Sequence, residues 1–151
     1  MSVALAQPKP DDAFAPRTSA IFPGESARQL VRLCGHPPLG PIEGVWMPSE
    51  ADIAMLEPAL FALLGRELLR TGSDRTPEGY YRQYGGLIIG GRRVIYVNGF
   101  TAKVVHSIDR LMTPWVDWRT VSQTVCGDDP VAFRVEYDPA HRSFSSFDFN
   151  R

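Results

Sequence analysis

Few side chains in this sequence are typed and spaced for catalysis. The histidines are His36, His106 and His141. Each would need a carboxylate or thiolate partner for acid–base work. Asp138 stands three residues before His141, in a segment whose composition marks a turn, where a histidine is more often solvated than catalytic. His106 follows Val104 and Val105 with no partner nearby in sequence. No GxSxG, HExxH, P-loop or EF-hand spacing occurs, so the reading assigns no catalytic residue, no metal ligand and no cofactor. Gly85-Gly86 and Gly90-Gly91 lack the lysine and following helix of a phosphate loop. The cysteines, Cys34 and Cys126, are too far apart for a CxxC zinc motif. In an oxidising compartment they would form a disulfide closing a loop of about 90 residues. In a reducing one they would be two buried thiols.

The stretch Thr113–Arg119, TPWVDWR, is the richest in recognition chemistry. Trp115, Asp117, Trp118 and Arg119 combine large apolar area with hydrogen-bonding tips, the combination enriched at binding hot spots. The competing reading makes the tryptophans a cover over the core. Asp128 and Asp129 form an acidic turn tip, and Arg92 and Arg93 a basic one. These residues are the expected partner-binding set.

Composition narrows the classes of function. The chain has 151 residues with 16 Lys+Arg against 17 Asp+Glu, a net charge of −1. Nucleic-acid binding needs a basic surplus or stripe to neutralise phosphates, and none is visible. Hydrophobic content is 44%, enough for a packed core. No apolar run is long enough to span a membrane. The expected partner is therefore another protein, with oligomeric state left open by the sequence.

Elements to position these groups are legible in part. Ser49 precedes Glu50 and Asp52, an N-cap with acids at the positive helix end. Ile53, Leu56, Leu60, Leu63, Leu64 and Leu68 then recur at helical steps, with Gly72 as the stop. Pro58 within this run is expected to kink or divide the helix. A shorter helix is expected at Ser26–Leu33. After residue 78 the period becomes two. Tyr80–Ile89 and Arg92–Phe100 read as strands joined by Gly90-Gly91. Thr120–Cys126 and Val131–Tyr137 read as a second hairpin, followed by Ser143–Phe149. Eight of the 13 prolines fall before residue 50. Residues 1–20 read as a disordered arm or the remnant of a signal peptide, given the small-x-small pattern Ala4-Leu5-Ala6. Residues 36–48 read as an extended strap, because they carry Leu39, Ile42, Val45 and Trp46 among the prolines. The expectation is a single α+β domain over 21–151: one main helix on a four- to five-stranded antiparallel sheet, in a cystatin-like element order, with a Pro-rich N-terminal wrap.

The phrases IEGVWMPSEADI, YYRQYGGLIIGGRRVIYVNGF and VAFRVEYDPAHRSFSSFDFN resemble small uncharacterised bacterial proteins, many of them exported. The resemblance covers about residues 30–150 and implies no activity. The functional expectation is a non-catalytic protein-binding domain of inhibitor or immunity type, capping a toxin or hydrolase. The alternatives are a motif-free hydrolase using His141, Asp138 or His106, or a structural envelope domain. The expected location is periplasmic or secreted, with the cytoplasm as the alternative.

Overall fold

The computed structural model describes residues 14–31, 40–104, 117–126 and 130–150. Its architecture is α+β, a long helix packed on a mixed six-stranded sheet. The strands are β1 (Ser19–Phe22), β2 (Ile42–Trp46), β3 (Tyr80–Ile89), β4 (Arg92–Thr101), β5 (Ala132–Asp138) and β6 (Ser143–Phe149). The helix α1 (Glu50–Arg70) lies between β2 and β3 in the chain.

The meander β3–β4–β5–β6 is antiparallel throughout. Its first hairpin turns at Gly90 (φ 60°) and Gly91 (φ 72°), a doubly left-handed turn that L side chains resist. The sheet exceeds the expected meander because β1 and β2 share the free edge of β3. β1 runs parallel along Arg82–Gly85, and β2 antiparallel along Gly86–Ile89. The proline-rich strap thus contributes a strand that ends before Pro48, as a residue without an N–H requires. Among the described residues two strands precede the helix and one of them pairs in parallel, so the sheet is mixed and six-stranded rather than four- to five-stranded and antiparallel.

Ser49 caps α1 through a reciprocal box: its hydroxyl accepts from the Asp52 N–H, and the Asp52 carboxylate accepts from the Ser49 N–H. Such a cap contributes about 1 kcal/mol. Pro58 does not divide the helix, which runs unbroken over 21 residues. The hydrogen bond it forfeits is to the carbonyl of Ala54. Both residues are exposed, so water can take that bond. Ile53, Leu56, Leu60, Leu64 and Leu68 pack on Tyr80, Tyr84, Ile95, Val97, Phe133, Val135 and Phe149 from one face of the sheet.

The opposite face is also covered. Gly24–Leu30 forms a 3-10 segment where an α-helix at Ser26–Leu33 is expected. Its Ala27 and Leu30 sit over Gly85, where a Cβ would come within 2.8 Å of both. Farther along, Phe100, Trp118 and Ala132 form a smaller cluster. Thr120–Cys126 is not a strand. β5 already pairs with β4 on one side and β6 on the other, leaving no position for it. Instead it crosses this face and is held through its carbonyls. Gln83 donates to the carbonyls of Trp118 (2.6 Å) and Val121 (2.9 Å), and Asn98 donates to those of Gln123 (2.8 Å) and, through its side chain, Gln83 (2.9 Å).

The expected arm ends earlier than residue 20. Phe14 is 7% exposed and packs in the main core, edge-on to Phe61. No helix among the described residues is long and apolar enough to cross a membrane.

Candidate functional site

The described members of the expected partner-binding set, Asp117, Trp118, Arg119, Arg92 and Arg93, lie at two ends of the sheet. Trp118 is 7% exposed, against Phe100 and edge-on to Tyr81. It is a core cover, as burial of so large a ring requires. Arg119 lies over its outer side at 4.9 Å and pairs with Asp117 at 3.6 Å, both exposed. Arg92 and Arg93 stand at the other end of β4. Arg92 approaches Asp138 at 3.5 Å, and Arg93 lies 5.3 Å from the Trp46 ring. Trp115, Asp128, Asp129, Cys34, His36 and His106 lie outside the described residues. No free cysteine occurs among the described residues.

Asp138 and His141 do meet, with Nδ1 and Oδ2 2.8 Å apart. The local fold explains the pair. Asp138 Oδ1 accepts the Ala140 and His141 N–H groups and closes the β5–β6 turn. Oδ2 takes the ring and the Arg92 guanidinium. Burial alone would raise the Asp138 pKa. The His141 side chain and the two backbone donors outweigh it, and the carboxyl titrates below its usual range. The imidazole is largely exposed, and no described hydroxyl or thiol is hydrogen-bonded to it. Among the described residues no three His, Cys, Asp or Glu cluster as a metal site.

A well-formed concavity among the described residues lies elsewhere. A cleft of about 770 Å³ separates β1 from the first two turns of α1. Ile21, Met47, Pro48, Ile53 and Ala54 give it an apolar lining. Among the described residues lining it, Glu50 and Glu57 are the charged groups. Met47 is 57% exposed at its rim. Ile21 packs with the helix-side core and Ala20 with the clusters on the other face, yet both border the cleft. Residues from both faces of β1 thus reach it, so the outer edge of the strand forms one wall. β1 is the end of the sheet path, with β3 as its only strand neighbour among the described residues. An edge strand presents N–H and C=O groups that no ladder satisfies.

Glu57 is fixed from behind. Its Oε1 accepts from the Tyr84 hydroxyl at 3.0 Å and from Arg82 at 3.4 Å. Arg82 is fully buried. Its Nε donates to Tyr84 Oη, Nη1 to Thr18 Oγ1 and the Tyr80 carbonyl, and Nη2 to the Ala15 carbonyl and Glu57. Every guanidinium N–H is thereby used. The Phe14 ring lies 3.9 Å from its carbon, a cation–π contact. Burial raises the Tyr84 pKa far above the usual phenol range, against the opposing pull of Arg82, so the phenol stays neutral and donates. This cluster went unread in the sequence. The available signal was a charged residue at Arg82, the one charged residue in a strand that otherwise holds aromatic and apolar residues, glycines and Gln83. No family model matches the chain, and no curated protein or solved structure matches it.

Proposed function

We propose that this protein is a protein-binding module of inhibitor or immunity type, acting in the periplasm or outside the cell, and that it takes its partner at the cleft between β1 and α1. The observation that carries this reading is the edge of β1, unpaired among the described residues, beside an apolar cleft in which Tyr84 and Arg82 hold the Glu57 carboxylate. A free strand edge is a recognised docking element, and an apolar lining with a few placed polar groups is the usual form of a binding site. The Asp117–Arg119 turn, favoured by the sequence, is a weaker candidate because its large aromatic ring is spent on the core.

The test is retention of a stoichiometric protein partner from an envelope extract by the immobilised protein. Ala54→Arg fills the cleft from an exposed helix position and should abolish retention. Asp117→Ala with Arg119→Ala should leave it intact. Loss in the turn variant with retention in Ala54→Arg would move the interface to the turn. Recovery of no partner across a range of salt would overturn the protein-binding reading. Trp118→Ala separates binding from folding: it should lower stability by about 3–5 kcal/mol, as expected for a buried aromatic truncated to alanine.

A further inference from the structure

We infer that the cleft accepts an extended, basic segment of the partner, added as a strand to β1, with a lysine or arginine side chain on Glu57. The inference rests on the binding reading above and specifies its occupant.

The first ground is backbone chemistry. The wall formed by β1 is a strand edge whose other side pairs in register with Arg82–Gly85. An incoming strand would lie about 4.8 Å from β1 and satisfy the outward backbone groups its ladder leaves, the Ser19 N–H being already taken by the Pro16 carbonyl. Side chains of such a segment alternate, so every second one would point toward α1. There it would meet Ile21, Ile53 and Ala54, an apolar surface suited to β-branched or aliphatic residues.

The second ground is charge. Among the described residues, the charged groups lining the cleft are the carboxylates Glu50 and Glu57. Glu57 Oε1 is engaged by Tyr84 and Arg82, which fixes the orientation of the group. Oε2 has no hydrogen bond among the described residues and remains as an acceptor. A carboxylate already held in place loses little side-chain freedom on taking up an ammonium or guanidinium. Glu50 stands seven residues earlier, about 10 Å along the helix axis, and sets a second negative charge at the mouth of the cleft. An acidic segment would face both carboxylates with nothing to pair it.

The experiment is selection of a phage-displayed library of random heptapeptides on the folded, full-length protein. The expected enriched peptides carry a lysine or arginine with aliphatic or β-branched residues at alternate positions. On the Glu50→Gln/Glu57→Gln variant the basic preference should fall at least tenfold. Both changes keep an oxygen acceptor, so Arg82 and Tyr84 retain a partner. Hydrogen exchange with the enriched peptide at saturation should slow in the amides of Ser19–Phe22. Failure to enrich any sequence, or enrichment indifferent to basic residues and unaltered by the double variant, would overturn the inference. Unchanged exchange in Ser19–Phe22 would overturn strand addition. If the protein partner is still retained in a cleft-dependent manner after either failure, the binding module stands and its partner docks by a folded surface instead.

Discussion

Arg82 Nη2 and Glu57 Oε1 face each other at 3.4 Å across the junction of strand and helix, with the guanidinium fully buried and the carboxylate facing the cleft. This pair connects three separate parts of the chain. Arg82 lies in β3, Glu57 in α1, and two further acceptors of the guanidinium, the Ala15 carbonyl and the Thr18 hydroxyl, lie just before β1. The same contacts that pin β1 to the sheet therefore orient the carboxylate beside its free edge.

Removing the guanidinium should accordingly be costly. Arg82→Ala leaves Glu57, Tyr84 and two backbone carbonyls without their donor. The expected loss is about 3–5 kcal/mol in urea denaturation, as for other buried pairs broken on one side. Arg82→Lys keeps the charge but not the five-donor fork, and should recover only part of it. Native-state hydrogen exchange should show residues 14–22 released first.

Two glycines mark where a single methyl group is intolerable. A Cβ on Gly86 would overlap the Trp46 carbonyl and the Pro48 ring, and one on Gly99 the ring of Phe133. Overpacking of this kind costs about 1–3 kcal/mol, more where backbone must move. Gly86→Ala, whose obstacle is backbone, should be the worse and should detach β2 from β3. Gly79 has nothing within 4 Å of its Cβ position, so Gly79→Ala should shift stability by no more than about 0.5 kcal/mol. Thermal melts of the three variants check the order. Equal melting temperatures for Gly79→Ala and Gly86→Ala would sink the packing account.

Asp138 gives the fold an acid-sensitive turn. Its native pKa lies below the ordinary value of 3.8. A depressed carboxyl pKa contributes stability in full above the unfolded value, and that contribution is lost as pH falls through the native one. The stability gap between wild type and Asp138→Asn should thus be constant from neutral pH down to about pH 5 and close below pH 3.8. His141→Ala should narrow the gap, because the side-chain partner is the largest of the groups that lower the pKa. Denaturant midpoints between pH 2 and 7 measure both.

The two cysteines supply a test of compartment. If Cys34 and Cys126 are bridged in the exported protein, as we propose, titration of unreduced, denatured protein from its native compartment finds no thiol. Cys34→Ser and Cys126→Ser should then each lower stability by about 3–5 kcal/mol. The double substitution should cost no more than either alone, since one bond accounts for both losses. Two titratable thiols would place the chain in a reducing compartment.

The amino-acid order by itself determined the elements whose causes are local. Ser49 with Asp52 sets the helix start, the leucine spacing sets its buried face, and Gly90-Gly91 sets the β3–β4 turn. Alternation in Val131–Tyr137 and the Phe144, Phe147 and Phe149 set after the Asp138–His141 turn mark β5 and β6 to within a residue. Pro58 misleads because local propensity cannot register that its lost bond faces water. Thr120–Cys126 misleads because strand formation needs an open neighbour, and β5 has none. Only the tertiary structure decided which edge of β3 the chain before the helix would occupy, and that Gln83 and Asn98 would bind the carbonyls of a crossing segment rather than face solvent. It alone brought Arg82 to Glu57 and opened the cleft beside β1. Those contacts join residues 25 or more positions apart, and their partners are fixed by which backbone and side-chain groups remain unsatisfied once the local elements have packed.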